Sequence, residues 1–177
     1  MTEKLSFTAT SLQNVIISNE SDSIYYEVKT WESDAGLTKV QRLNPKTQLY
    51  DLVAEFENTN GRPVAVRIHG QDTVRVEEFL KMENVERSRW GTWDGKVSFV
   101  GMDEKEYTWS NKDGVLQLTK EGSEKPVAIF RTYQRWMYLL TVSELPSMDV
   151  EQEALDTLDT LIVSFIVTEG TRRGSFF

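Results

Sequence analysis

The sequence predicts a mainly β fold, a closed antiparallel β-barrel of about twelve strands around a central hydrophobic C-terminal α-helix. Short alternating segments separated by turn signals fill the first 147 residues, and a single long helical pattern follows at residues 148–169. A sandwich fills its core with its own side chains, whereas a closed barrel of this many strands has an interior that another element must fill. We therefore expect the helix to lie inside the barrel.

Length and composition narrow the class of protein. The 177 residues, 39% of them hydrophobic, are enough for one buried core, and we expect a single domain over residues 1–177. The absence of cysteine excludes disulfides and thiolate chemistry. The net charge of -8 disfavours nucleic acid as a partner. No export signal or run of roughly 20 apolar residues is visible, so we expect a cytoplasmic protein, in solution or at the periphery of a membrane.

Alternating or β-branched segments predict the strands of the N-terminal half. They cover residues 5–9, 14–18, 23–31, 37–43, 50–57, 63–69 and 73–76. Asn60-Gly61 predicts a tight hairpin because both residues tolerate positive φ. The pattern of residues 77–83 fits a short helical turn or a strand end equally well.

The second half continues in the same way. Strands are predicted at residues 96–100, 105–109, 115–119, 127–133 and 136–142. Asn111-Lys-Asp-Gly114 is typical of a hairpin turn, and Ser143-Glu-Leu-Pro146 ends the last predicted strand and leads into the helix.

The predicted helix has recognisable ends. Asp149 is suited to cap the first turn with Gln152 as its capping-box partner, and Gly170, followed by Arg172 and Arg173, is suited to the C-terminal end. Every residue from 161 to 167 except Ser164 is apolar. A helix that is apolar nearly all round must be enclosed on all sides.

The second half of the chain also resembles a known family. The matching residues are Glu106-Tyr-Thr-Trp109, Leu116-Gln-Leu118, Val127-Ala-Ile-Phe130, the helix segment 158–167 and Arg172-Arg173. They resemble a fungal family of unknown function assigned to the tubby C-terminal-like superfamily, which includes the tubby, phospholipid-scramblase and LURP-one-related proteins. The resemblance covers roughly residues 85–173, and it implies the barrel fold with its buried helix.

What the resemblance implies about activity is narrower. Tubby proteins bind a phosphoinositide headgroup through lysines and arginines on the barrel surface, but their binding motif has no residue-by-residue match in this sequence. The cysteine-rich palmitoylation segment of scramblase-like members has no counterpart in a chain without cysteine. A shared fold does not by itself transfer a function.

Cationic and aromatic residues cluster in two places. The first group, a candidate ligand site, comprises Arg87, Arg89, Trp90, Trp93 and Lys96. The second group lies near the end of the predicted helix and comprises Arg131, Arg135, Arg172 and Arg173. Guanidinium groups bind phosphate or carboxylate in bidentate fashion, and an indole offers a stacking face, so this composition suits an anionic or sugar-like ligand.

Each of these groups also has a purely structural interpretation. Trp90 and Trp93 could plug one end of the barrel while the neighbouring arginines pair with Glu83 and Glu86. Arg172 and Arg173 could simply cap the helix. The sequence leaves both interpretations open.

Titratable residues point to no recognisable reaction. His69 is the only histidine, which excludes a histidine-rich metal site, and its place beside Gly70 is typical of a turn. The carboxylates of the predicted helix are expected to face solvent in its first half; they are Asp149, Glu151, Glu153, Asp156 and Asp159. No P-loop, dinucleotide fingerprint, G-x-S-x-G or zincin motif is present. We expect no cofactor and no metal.

These observations favour a non-enzymatic binding domain that recognises an anionic lipid headgroup or a protein partner at a barrel end. Two alternatives stay open. The first is a small enzyme or carrier, which requires a sizeable pocket between barrel and helix. The second is a carbohydrate-binding module, which requires Trp90, Trp93 and Trp109 at the surface.

Overall fold

The computed structural model describes residues 2–85, 93–132, 134–137 and 141–174, of which residues 134–137 and 141–143 are described by their backbone alone. The strands are β1 Thr2–Phe7, β2 Asn14–Asn19, β3 Tyr25–Trp31, β4 Asp34–Leu43, β5 Tyr50–Thr59, β6 Arg62–Ile68, β7 Val74–Arg75, β8 Lys81–Glu83, β9 Lys96–Val100, β10 Glu106–Lys112, β11 Val115–Lys120, β12 Pro126–Arg131, β13 Gln134–Met137, β14 Thr141–Glu144 and β15 Ser147–Glu151. The helices are α1 Val76–Phe79 and α2 Leu158–Arg173, and a 3₁₀ segment, Gln152–Thr157, precedes α2. The mainly β class with one long C-terminal helix is confirmed.

Thirteen of the described strands form one antiparallel sheet. Its order is β7-β6-β5-β4-β3-β2-β1-β15-β12-β11-β10-β9-β8, and β13 and β14 form a separate hairpin. Strands β1 to β7 are one meander and β8 to β12 are another, and β15 joins them by pairing with β1 on one side and β12 on the other. The strand predicted at 136–142 is thus divided between the two strands of a hairpin.

Among the described residues, hydrogen bonds do not close this sheet, so the structure shows the predicted antiparallel sheet and helix but not the predicted closed barrel. Among the described residues the sheet ends at β7 and β8, and α1 connects these two edges. Only five residues, 76–80, separate the two edge strands, which limits their ends to about 20 Å apart. The sheet must therefore curl round on itself, but edge strands of two and three residues are too short to build a ladder.

The predicted start of the long helix was wrong. Residues 147–151 form strand β15, in which Met148 and Val150 are buried and Asp149 between them is not. This period of two fits a sheet between β1 and β12, and Asp149 pairs with Arg131 of β12 instead of capping a helix. Four of the five carboxylates predicted on the helix therefore lie outside it, Asp149 and Glu151 on β15 and Glu153 and Asp156 in the 3₁₀ segment.

Helix α2 is enclosed, as its composition predicted. Leu158 and every residue from 160 to 170 are buried. Phe165 contacts rings from β1, β10 and β12, and the first turn contacts β3 and β4 through Asp159. The sheet therefore surrounds the helix, and the wide buried face explains why no apolar stripe dominates its pattern.

The polar residues inside this core are satisfied by hydrogen bonds. Ser164 accepts from the indole N–H of Trp109 at 2.9 Å, and its hydroxyl donates to the carbonyl of Leu161 at 2.9 Å. Fully buried Glu169 accepts from the guanidinium groups of Arg172 and Arg173, each at 2.6 Å. Buried polar groups that are paired in this way do not carry the cost of an unmet hydrogen bond.

The C-terminal end of α2 also differs from the prediction. Gly170 lies inside the helix, and Gly174, with a φ of 71°, is the left-handed cap that ends it. Arg172 and Arg173 occupy the last turn, where cations are favoured, and bind Glu169. These two arginines therefore stabilise the helix end, in agreement with the structural interpretation.

One surface cluster predicts how stability depends on pH. In the β9–β10 turn, Asp103 accepts from Tyr107 at 2.9 Å and pairs with Lys120 at 3.0 Å. Burial alone would raise the pKa of Asp103, but the hydrogen bonds from Lys120 and Tyr107 outweigh it and lower that pKa. A depressed carboxyl pKa stabilises the fold above the ordinary value of about 4, and this stabilisation is lost as the pH falls further.

We therefore expect Asp103→Asn to lower the free energy of unfolding near neutral pH, with the deficit disappearing in acid. Urea denaturation midpoints from about pH 7 to about pH 3 measure the difference. Asp72→Asn, at an exposed loop position, is the matched control and should change little at either pH. An Asp103→Asn deficit of the same size across the whole range would contradict this assignment.

Candidate functional site

The site residues predicted from the sequence do not come together in the described part of the chain. Arg87, Arg89 and Trp90 lie outside the described residues. Trp93 is 2% exposed, and its indole N–H donates to the carbonyl of Val85 at 3.1 Å, so this tryptophan belongs to the core.

The remaining predicted cations are dispersed. Lys96 is exposed at the start of β9, and Arg131 is exposed at the end of β12 in an ion pair with Asp149. Three strand intervals separate β9 from β12, about 14 Å along the sheet. Arg135 lies in the separate β13–β14 hairpin, where its backbone alone is described. Lys96 and Arg131 therefore do not lie in one cationic patch.

Tryptophan exposure bears on the carbohydrate alternative. Trp93 and Trp109 are both buried, and the indole N–H of Trp109 donates to the hydroxyl of Ser164 inside the core. Trp31 is 37% exposed on the outer face, with the ammonium groups of Lys29 and Lys39 at 5.3 and 5.7 Å from its ring centroid. A stacking platform built from Trp93 and Trp109 is therefore excluded.

A polar pocket lies where the first turn of α2 meets strands β4, β5 and β6. We call it the Asp159 pocket; its volume is about 520 Å³ and its lining comprises Arg42, Asn44, Pro45, Lys46, Asp51, Leu52, Val53, His69 and Asp159. Residues from four separate parts of the chain meet here.

Asp159 is the centre of this pocket. Its side chain is 13% exposed and accepts a hydrogen bond from the hydroxyl of Tyr26. The Nη1 of Arg42 lies 3.4 Å from one carboxylate oxygen, and the Nε2 of His69 lies 3.3 Å from the other. Burial raises the pKa of Tyr26, and the negative charge of Asp159 raises it further. The phenol therefore keeps its proton and donates it in a hydrogen bond to Asp159. Three partners therefore engage the Asp159 carboxylate.

His69 is held in place by an unusual backbone conformation. The φ of His69 is 48° and that of Gly70 is 70°. The backbone N–H of His69 donates to the carbonyl of Val53 at 2.8 Å. Positive φ costs an ordinary residue roughly 1–2 kcal/mol, although histidine adopts it more often than most. This turn directs the imidazole to Asp159. His69 is therefore a turn residue, as the sequence predicted, and it also lines the pocket.

The loop between β4 and β5 forms the outer wall of the pocket. Asn44 organises it: its side-chain oxygen accepts from the N–H of Lys46 at 3.0 Å and its N–H donates to the carbonyl of Leu49 at 2.8 Å. The side chain of Lys46 is exposed and has no ion-pair partner among the described residues. Apolar side chains beside it are also exposed: Leu49 by 66%, Tyr50 by 45%.

The two carboxylates of the pocket, Asp159 and Asp51, differ in how many partners they have within the protein. Asp159 accepts hydrogen bonds from Tyr26 and Arg42 and lies 3.3 Å from the Nε2 of His69, whereas Asp51 is exposed and accepts one hydrogen bond, from the amide of Asn44 at 3.2 Å. The pocket also carries Arg42, Lys46 and the imidazole of His69. An anionic ligand would therefore find cationic donors, and Asp51 would be its main source of repulsion.

A second concavity lies at the opposite end of α2. We call it the edge cleft; its volume is about 760 Å³ and its lining comprises Arg62, Pro63, Val64, Ala65, Arg75, Val76, Glu77, Met82, Val85, Val167, Gly170, Thr171 and Gly174. It lies between the two sheet edges and the last turns of the helix. A space between sheet and helix is the feature that the carrier alternative requires.

The described part of the chain contains neither a metal-binding cluster nor a membrane-spanning helix. Within the described ranges, no three His, Asp or Glu side chains lie close enough together to hold a metal ion. No helix in the described part of the chain is long and apolar enough to cross a membrane.

A family model described as a family of unknown function, DUF6593, matches residues 10–174. The chain belongs to this family. No curated protein and no solved structure matches this chain. The DUF6593 match includes all the residues that line the Asp159 pocket and the edge cleft, and it names neither an activity, nor the tubby superfamily, nor a group of organisms.

The sequence did not single out the residues of the Asp159 pocket, although one signal for them is local. Lys46 precedes Leu49 and Tyr50 in a loop after Asn44-Pro45, and a cation beside exposed apolar residues is visible in the sequence alone. Asp159 lies more than a hundred residues later, and only folding brings it to this loop.

Proposed function

We propose that this member of DUF6593 is a non-enzymatic binding domain that recognises an anionic lipid headgroup at the Asp159 pocket. The observation that carries the proposal is the combination of cationic donors inside the pocket with exposed apolar side chains at its rim. Headgroups supply phosphate or carboxylate oxygens, and the acyl region next to them favours apolar and aromatic contacts.

Arg42 and Lys46 are the residues proposed to bind the headgroup. Arg42 uses Nη1 for Asp159 and is 40% exposed, so further N–H groups are accessible to a ligand. Lys46 is an exposed ammonium without an ion-pair partner among the described residues. Together they place two positive charges beside a carboxylate, Asp159, that is already engaged.

Leu49, Tyr50 and Leu52 are proposed to contact the lipid interface. Their exposed fractions are 66%, 45% and 37%, and Leu52 also lines the pocket. The ring of Tyr50 lies 6.4 Å from that of Tyr25, which steadies it. Amphipathic rings and aliphatic side chains of this kind partition into the boundary between headgroups and acyl chains.

The net charge of -8 weakens attraction to an anionic surface at long range, so recognition must come from local contacts. The proposal places the protein at the cytoplasmic face of a membrane, where anionic lipids concentrate. The sequence has no match to the tubby binding motif, so the proposal rests on the pocket itself and not on the resemblance to tubby proteins. A protein partner is the second candidate, and the test below separates the two.

We expect the protein to float with vesicles that contain anionic lipid and not with neutral vesicles. A basic residue near a membrane surface contributes about 1 kcal/mol, so Lys46→Ala should weaken binding roughly fivefold. Asp51→Asn should strengthen binding, because it removes repulsion and keeps an oxygen for Asn44. Leu49→Ser should weaken it by removing apolar contact.

Lys125→Ala is the matched control, since Lys125 is an exposed cation on the turn between β11 and β12. It should leave flotation unchanged. Failure of the wild-type protein to bind any anionic vesicle would remove the lipid proposal in favour of a protein partner. Vesicle binding that ignores both Lys46→Ala and Asp51→Asn would move the site elsewhere. Soluble glycerol phosphate added as a competitor measures how much of the binding the headgroup alone supplies.

A further inference from the structure

The edge cleft exists because the curled sheet does not close over the last turns of α2. Among the described residues the sheet ends at β7 and β8, which have two and three residues, and α1 lies between them as a single helical turn. At this point the helix presents Val167, Gly170 and Thr171 to the gap. Since Gly170 has no side chain, the cleft reaches the helix itself.

The walls of the edge cleft are mainly apolar. Val64, Val76, Met82, Val85 and Val167 contribute to the lining. A volume of about 760 Å³ lies within the range of roughly 300–1,000 Å³ that is typical of small-molecule sites. Apolar walls of this extent favour a ligand with a hydrocarbon body.

Charged side chains stand among these apolar walls. Arg62 at the start of β6, Arg75 of β7 and Glu77 of α1 all line the cleft and are exposed. Among the described residues neither arginine has an ion-pair partner. The sum of these three charges is +1, which suits a single negative charge better than a polyanion. A guanidinium binds a carboxylate in bidentate fashion.

From this combination we infer that the edge cleft binds an amphipathic monocarboxylate, such as a fatty acid, with its chain against the apolar walls and its carboxylate at Arg62 and Arg75. This site is separate from the proposed headgroup site. The two concavities share no lining residue among those that the structure describes, and the eleven positions from Asp159 to Gly170 correspond to about 16 Å along α2.

An extended peptide added to an open sheet edge is the competing occupant. The edges disfavour it, because strands of two and three residues offer few backbone groups for a ladder. The cleft also continues past the edges to the helix, where Val167 and Gly170 offer apolar contact. Because the cleft reaches the helix, and because neither arginine has an ion-pair partner in the described part of the chain, a small amphiphile fits it better.

Binding of laurate and of its uncharged analogue dodecanol to the full chain tests the inference, by displacement of a fluorescent fatty acid. We expect laurate to bind more tightly than dodecanol. The double variant Arg62→Gln, Arg75→Gln should weaken laurate binding by roughly 10- to 100-fold, since it removes charge-assisted hydrogen bonds, and leave dodecanol binding nearly unchanged. Both arginines are exposed, so the variant should fold.

Ala65→Phe, which adds a ring to the half-buried cleft wall on β6, should reduce binding of both ligands. A thermal melt checks that this variant is folded. The controls Lys125→Ala and Lys46→Ala should bind laurate as the wild type does, so failure of the headgroup proposal would leave this result intact. No binding of laurate by the wild type, or equal binding by the double arginine variant, would overturn the inference, as would displacement of the probe by peptides alone.

Discussion

A chain that ends at Ala154 is expected to have no cooperative folded state. Such a chain loses α2, in which seven apolar side chains are buried among the residues of the helix: Leu158, Leu161, Ile162, Val163, Phe165, Ile166 and Val167. Burial of one such side chain contributes about 1.5–3 kcal/mol, so the loss is about 10–20 kcal/mol. A typical domain is stable by only about 5–15 kcal/mol.

The inner face of the sheet would lose its cover at the same time. Leu5, Tyr26 and Trp109 are fully buried in the intact protein, and Tyr26 and Trp109 hydrogen-bond to α2. Near-ultraviolet circular dichroism and a thermal melt measure the outcome. A soluble truncated chain with a cooperative melt would show that the sheet stands without its helix.

Substitution at one position provides a control for this experiment. Val163→Pro breaks the helix within the full chain and should cost about 3 kcal/mol or more from the backbone alone, with lost packing in addition. Val163→Ala keeps the helix, and it should fold with a smaller loss of stability. Equal stability of the two variants would contradict the central role of α2.

Phe165→Ala is expected to lower the free energy of unfolding by about 3–5 kcal/mol. Phe165 is fully buried, and its ring centroid lies 4.6 Å from that of Phe130, 5.4 Å from Phe7 and 5.9 Å from Trp109. It therefore joins α2 to strands on both sides of β15. Removing the ring leaves a cavity where three strands and the helix meet.

Urea denaturation at constant pH measures this loss through the shift in midpoint. Phe165→Leu refills part of the cavity and should recover part of the stability. Val100→Ala is the control, because Val100 is 61% exposed at the end of β9 and should change stability by no more than about 0.5 kcal/mol. A loss at Phe165 no larger than at Val100 would contradict the assigned packing.

Local pattern predicted much of the fold correctly. Asn60-Gly61 and Asn111-Lys-Asp-Gly114 mark hairpins that the structure contains, since positive φ at such turns depends on the residues themselves. The segment 77–83, which fitted a helical turn or a strand equally well, holds both in succession. The prediction that the helix begins near Met148 was wrong. Residues 147–151 form a short strand, and its carboxylates would also suit the first turn of a helix.

The candidate site was harder to predict. The sequence left open whether Trp93 binds a ligand or plugs one end of the barrel, and its 2% exposure with a hydrogen bond to the carbonyl of Val85 supports the structural interpretation. The Asp159 pocket requires Arg42, His69 and Asp159 to meet, and more than a hundred residues separate the first of these from the last. No local pattern encodes a contact of this range.

By itself the sequence determined the strand-rich class, the hairpin turns and a helix so apolar that it had to be enclosed. These properties follow from local conformational preference and from the exclusion of apolar surface from water. The tertiary structure alone decided where the helix begins, that the sheet stops at β7 and β8, and which polar residues converge on Asp159. Such features depend on long-range pairing, in which β15 joins two meanders and places the ends of α2 against two separate concavities.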